Sequence, residues 1–166
     1  MEELTLLGER AVQAKFELQR MMTEQKNEVL EAVAEALIQN TEYLLLENHK
    51  DLDRGIANQM NPGLLDRLRL TKERIAGMAE GIRQIVKLPD PVGEILDDYE
   101  AENGLHIVKK RVPMGVIGII YESRPNVTAD AFGLCFKSGS AVILKGGSDA
   151  IQSNMAITKV IQEALS

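Results

Sequence analysis

The sequence predicts an α/β protein: amino-terminal helices, then a β-ribbon, then the first βαβα unit of a Rossmann-like parallel sheet. Three observations carry this. Apolar residues recur at helical spacing up to about residue 88, Pro89-Asp90-Pro91 breaks that pattern, and two short apolar runs beyond it each lead through a polar loop into a helical pattern.

In the helical part, Leu4, Leu7, Ala11, Ala14, Leu18 and Met21 repeat at three and four and predict one helix with a core-facing stripe. The stripe is too short for a coiled coil. Thr23 is expected to cap a second helix, in which Val29, Val33 and Leu37 recur every four residues, and Asn40 to end it. A third helix begins near Thr41. A short one starts at Asn61 with Pro62 as its first residue, and a longer one after Thr71 buries Ile75, Met78, Ile82 and Ile85.

After the proline break, residues 94–99 and 105–112 carry partial alternation around Asn103-Gly104, a hairpin signal. A two-stranded ribbon is marginal alone, so it is expected to pack on another sheet or across a subunit interface. Gly115-Val116-Ile117-Gly118-Ile119-Ile120-Tyr121 is almost continuously apolar, as for a parallel strand covered on both faces. A helix from about Asn126 to Lys137 follows, ended by Ser138-Gly139. Ala141-Val142-Ile143-Leu144 form a second strand, and Ser148 or Asp149 opens a last helix. Crossover rules make the two strands parallel, with their carboxyl-end loops open to a ligand. Because two parallel strands leave apolar edges exposed, the chain is expected to be an unfinished sheet.

Composition narrows the function classes. The formal charge of -6 argues against a nucleic-acid-binding surface, and Lys109-Lys110-Arg111 is too short a run to change that. Every apolar run is interrupted well short of a membrane span, and the acidic start Met1-Glu2-Glu3-Leu4 does not read as a secretory signal, so a cytoplasmic protein is expected. Cys135 is the one cysteine, and His49 and His106 lie far apart, so neither a disulfide nor a metal site is expected.

Two loops carry the chemistry. In Lys145-Gly146-Gly147-Ser148-Asp149 two glycines permit close approach, a helix amino terminus offers N–H groups, and Lys145 adds a charge, a set that can hold a phosphate or a ribose hydroxyl. The same residues, with Asp149 and Gln152 as a capping box, also suit a plain strand-to-helix turn. In Tyr121-Glu122-Ser123-Arg124-Pro125-Asn126, Asn126 can donate to an oxyanion and Arg124 can grip a carboxylate or phosphate. Alternatively Asn126 is an ordinary N-cap and Arg124 pairs with Glu122. Cys135, mid-helix between Leu134 and Phe136, is read as a buried small hydrophobe and not a nucleophile.

Taken together, the run from Val112-Pro113-Met114-Gly115 through Tyr121-Glu122-Ser123-Arg124-Pro125-Asn126-Val127-Thr128 resembles the γ-glutamyl phosphate reductase signature, a branch of the aldehyde dehydrogenase superfamily. The resemblance continues through Leu134-Cys135-Phe136-Lys137-Ser138-Gly139 and Lys145-Gly146-Gly147-Ser148. It is visible upstream in Asp66-Arg67-Leu68 and Leu88-Pro89-Asp90-Pro91. Ser140 and Asp149 stand where the family pattern has asparagine and glutamate.

This resemblance implies an aldehyde dehydrogenase type of fold and NADPH-dependent reduction of L-glutamyl 5-phosphate to L-glutamate 5-semialdehyde, with phosphate released, in proline biosynthesis. It implies a thioester on a cysteine beyond this chain, Asn126 as oxyanion donor, Lys145 on the adenosine ribose or its 2'-phosphate of NADP(H), and Ile119, Ile120, Gly146, Gly147 and Ser148 around the cofactor. Arg124 is extended to a substrate anchor. The expected organisation is 1–92 as the helical part of the cofactor-binding domain, 93–112 as an oligomerisation ribbon, and 113–166 as the start of the sheet. A homo-oligomer through the ribbon and functional association with glutamate 5-kinase complete the expectation. A related enzyme acting on an aldehyde or acyl-CoA is the alternative, although most aldehyde dehydrogenases carry a tryptophan in the turn after the first strand and this chain has none. A non-enzymatic helical interaction module is the other.

Overall fold

A computed structural model describes residues 2–165; Met1 and Ser166 lie outside the described residues. Five helices come first: α1 (Glu2–Leu18), α2 (Thr23–Gln39), α3 (Thr41–Ala57), α4 (Pro62–Leu68) and α5 (Lys72–Lys87). Then follow β1 (Ile95–Glu100), β2 (His106–Lys110), β3 (Val116–Ile120), α6 (Asn126–Lys137), β4 (Ala141–Lys145), a 3₁₀ turn (Ser148–Ala150) and α7 (Ile151–Ala164). The α/β class holds, with β3 and β4 paired in parallel.

Helix starts follow side-chain chemistry. Asn61 accepts a hydrogen bond from Gly63 N–H with Pro62 behind it, and the Thr71 hydroxyl accepts one from Arg74 N–H, so each satisfies a donor the first helical turn cannot. The α2 start differs from the expectation. Its N-cap is Met22, whose N–H donates to Gln25 Oε1 at 2.8 Å, while the Thr23 hydroxyl turns away to donate to Asp90 at 3.0 Å.

The main core lies between α2, α3, α5, α6 and α7 and includes Leu30, Val33, Leu37, Leu44, Ile75, Ile82, Phe132 and Ile157. Gly133 lets α6 approach α5 closely: a Cβ there would sit 2.7 Å from the Ile82 side chain and 2.9 Å from that of Ile85. The expected core stripe of α1 is corrected. Only Ala11 is buried, Leu18 and Met21 touch the core from its margin, and Leu4 and Leu7 face outward. The reason is placement: α1 packs on β3 and β4, and two strands cover only part of a helix.

Charge is also buried here. Lys26, with 2% of its side chain exposed, donates to Asp90 at 2.8 Å. Asp90 further accepts from Thr23 and from Val92 N–H, which fixes the Pro-Asp-Pro break to α2. Lys137, at the end of α6, donates to Asn27 and to the Val86 carbonyl, and burial lowers its amine pKa.

β1 and β2 form the expected antiparallel hairpin, with Gly104 at φ +79° in its turn. Among the described residues nothing covers it, and only Ile107 is half-buried. β3 also departs from expectation, being half-covered rather than buried on both faces, with Ile120 82% exposed. A strand with one described neighbour keeps an open edge.

Candidate functional site

Parallel pairing of Val116 with Ala141 through Ile120 with Lys145 brings both strands to the same carboxyl edge. The two polar loops meet there. Tyr121 N–H donates to the Lys145 carbonyl at 3.1 Å, the Ser123 hydroxyl donates to Asp149 at 3.3 Å, and a Cβ on Gly147 would lie 3.5 Å from Glu122 Cα. Asn126 and Lys145 therefore share one edge but line different hollows, Asn126 with Arg67 and Arg124, Lys145 with Arg54 and Asn58.

The loop after β4 is braced from beneath. A Cβ on Gly146 would fall 2.1 Å from Asn154 Nδ2 and 3.2 Å from the Tyr121 ring, so glycine is a steric requirement at this position. Asn154 belongs to a buried relay. The Thr128 hydroxyl donates to Asn154 Oδ1 at 3.2 Å, which leaves its oxygen to accept from the Tyr121 hydroxyl at 2.7 Å. Burial pushes the Tyr121 phenol above its usual value, against the pull of that hydrogen bond.

The expected Asp149–Gln152 capping box does not form. Asp51, wholly buried on α3, caps α7 from across the molecule: it accepts from Gln152 N–H at 3.2 Å, Ser153 N–H at 2.8 Å and the Ser153 hydroxyl at 2.7 Å. Asp149 is drawn to Ser123 instead. Arg54 pairs with Asp51 at 2.7 Å and also donates to the carbonyls of Ser148 and Asp149. The α7 amino terminus therefore spends part of its donor capacity on a carboxylate of the protein itself, which narrows the role expected of it toward a phosphate. Lys145 and Ser148 remain exposed, and with Leu144, Gly146, Asp149, Ile151, Arg54 and Asn58 they line a hollow of about 670 Å³. Ile119 is half-buried and Ile120 exposed, and strand alternation sets them on opposite faces of the sheet.

In the loop after β3, Asn126 is the first residue of α6 and not its cap; Pro125 holds the cap position. Its side-chain amide donates to Asp130 Oδ2 at 3.3 Å. Asp130 is half-buried, and burial raises its carboxyl pKa against that hydrogen bond. Arg124 is exposed and makes no ion pair with Glu122; only backbone joins them, Arg124 N–H donating to the Glu122 carbonyl at 2.9 Å. Asn126, Arg124 and Asp130 line a hollow of about 350 Å³ with Arg67 of α4, Arg69 just after it and Arg74 of α5. Cys135 is buried, 5% exposed, and burial raises its thiol pKa, so it lacks the setting of a nucleophile.

Asp51, Arg54, Asn154, Asp130 and Arg67 escaped the sequence reading as parts of this edge. Asp51 lies over 100 residues from the α7 donors it holds, so no local pattern marks it or Arg54. Only Arg67 had a signal, within Asp66-Arg67-Leu68.

No family model matches the chain. An acetylating aldehyde dehydrogenase from Geobacillus thermoglucosidasius, 17% identical, superposes with a TM-score of 0.73 over 98% of this chain and 33% of that one. That likeness defines the class by fold alone: aldehyde dehydrogenase type. Sequence goes further. The γ-glutamyl phosphate reductase of Lachnospira eligens is 55% identical over 166 residues, 100% of this chain and 40% of the relative. The crystal structure of γ-glutamyl phosphate reductase from Thermotoga maritima is 41% identical, with a TM-score of 0.92 over 95% of this chain and 38% of that one. The chain is a homologue of the γ-glutamyl phosphate reductases, corresponding to their amino-terminal portion and spanning about 40% of their length.

Proposed function

We propose that this chain forms the cofactor-side edge of an NADP(H)-dependent enzyme that reduces L-glutamyl 5-phosphate to L-glutamate 5-semialdehyde, releasing phosphate, in proline biosynthesis. The observation that carries the reading is the junction of the two carboxyl-edge loops, one carrying exposed Lys145 and the other Arg124 and Asn126. The β4 loop suits a nucleotide: Gly146 sits where any side chain would collide with Asn154, Gly147 packs against the Glu122 backbone of the neighbouring loop, and Lys145 has no partner among the described residues. Lys145 is assigned to the adenosine ribose or its 2'-phosphate, with Gly146, Gly147 and Ser148 beside it and Ile119 and Ile120 at the strand end. When bound, the nicotinamide supplies a hydride.

The chemistry is covalent catalysis. A cysteine thiolate outside this chain attacks the acyl carbon, the C–O bond to phosphate breaks, and a thioester remains for reduction. This chain contributes to charge stabilisation. Asn126 commits one amide hydrogen to Asp130, which orients the group and leaves the second hydrogen for the tetrahedral oxyanion. Arg124 anchors the substrate. The uncovered β-ribbon is assigned to contact between copies in a homo-oligomer.

The test is the reverse reaction on the intact protein: NADPH should form from glutamate semialdehyde, NADP and phosphate, and should depend on phosphate. Lys145→Ala should raise KM for NADP about tenfold or more; an unaffected KM for NAD assigns Lys145 to the 2'-phosphate, and an equal rise assigns it to the ribose. Phosphate-independent turnover would move the reading to an ordinary aldehyde dehydrogenase. Indifference to Lys145 would remove its assigned role.

A further inference from the structure

We propose that Arg67, Arg124 and Asp130 form a subsite for the α-carboxylate and α-ammonium of the substrate, an inference that rests on the function proposed above. Four of the chain's nine arginines, Arg67, Arg69, Arg74 and Arg124, line one hollow of an otherwise acidic protein. They are not equivalent. Arg74 is consumed in structure: its guanidinium donates to the carbonyl of Asp66, to that of Arg69 at 2.7 Å, and to both Asp66 carboxylate oxygens at 3.2 Å. It neutralises Asp66 and fixes the end of α4, with Arg67, and the Arg69 that follows it.

Arg67, Arg69 and Arg124 are left with no side-chain hydrogen bond or ion pair among the described residues, and of these only Arg67 and Arg124 reach a second hollow as well. Both line the hollow of about 350 Å³ and also its neighbour of about 340 Å³, which Tyr121, Glu122 and Ser123 complete. They are thus the common wall between the two, one supplied by α4 and the other by the β3 loop. Two forked guanidiniums facing one space match a carboxylate through paired charge-assisted hydrogen bonds.

The carboxylate in the same hollow decides which end of the substrate binds. Asp130 is half-buried and gives only Oδ2 to Asn126. A phosphate placed here would face that carboxylate, whereas an amino-acid head group presents opposite charges to Asp130 and the arginines at once. The head group is thereby held on the Asn126 side, with the reacting carbonyl directed toward Asn126.

The test measures separate KM values in the reverse reaction on the intact enzyme. Arg67→Ala should raise KM for glutamate semialdehyde about tenfold or more while KM for phosphate and NADP hold, and Arg67→Lys should fall between. Arg67 is exposed, so the variant should keep the wild-type melting temperature. Asp130→Asn should erase the preference for glutamate semialdehyde over 5-oxopentanoate, the same aldehyde without its amino group. A loss of kcat shared equally by both aldehydes would overturn the ammonium contact, since it reports only the hold on Asn126. A rise in KM for phosphate with Arg67→Ala would overturn the head-group assignment. Unchanged KM and preference in an active wild-type background would sink the subsite and spare the function, and an inactive wild type would sink both.

Discussion

The helix seams and the open edge of the β3–β4 sheet use the same residue types in opposite ways. In the seams, Lys26 with Asp90 and Asp51 with the start of α7 are buried and spend their charge inside the protein. At the edge, Lys145, Arg67 and Arg124 are exposed and keep their charge unspent. Position, and not residue type, separates structural charge from charge available to a ligand.

The largest effect that can break this contrast is in the seam. Asp90→Ala leaves the Lys26 ammonium buried and unpaired and should destabilise the protein by about 3–5 kcal/mol in urea denaturation at neutral pH. Burial works against ionised Asp90, but hydrogen bonds from Lys26, Val92 N–H and Thr23 outweigh it and hold its carboxyl below the usual value. Its stabilisation is therefore present at neutral pH and lost as pH falls below about 4, so the wild-type and variant stabilities should converge in acid. A constant gap down to the acid limit would count against this.

Gly146→Ala probes the boundary between the two regions. Its Cβ must displace the buried Asn154 amide, so a loss of about 1–3 kcal/mol is expected, together with weaker nucleotide binding by titration. A neutral result would mean that the loop is not braced. Arg124→Ala, at the far side of the contrast, should change stability by no more than about 0.5 kcal/mol while raising KM for the acyl substrate. A melting shift comparable to that of Asp90→Ala would move Arg124 into the structural class.

The sequence made the local part of this legible. Pro62 behind Asn61, Thr71 before a helical stripe, and Gly139 after α6 each act within a few residues, and the structure places them as read. The two carboxyl-edge loops were legible too, since strand polarity fixes where they fall. What escaped was set at long range. Thr23 prefers Asp90, 67 residues away, to its own helix start, and α7 takes its cap from Asp51 rather than Asp149. The stripe of α1 obeyed helical spacing but lacked enough sheet to cover it, which no periodicity within the helix reveals.

The relay from Tyr121 through Thr128 to Asn154 has an optical consequence. The chain has no tryptophan and three tyrosines, so near-ultraviolet absorption comes largely from so few rings that one of them matters. Tyr121 lies against Gly146, and its ionisation is held back by burial. The alkaline appearance of its tyrosinate band is thus an intrinsic dye for this corner of the fold, readable without any label.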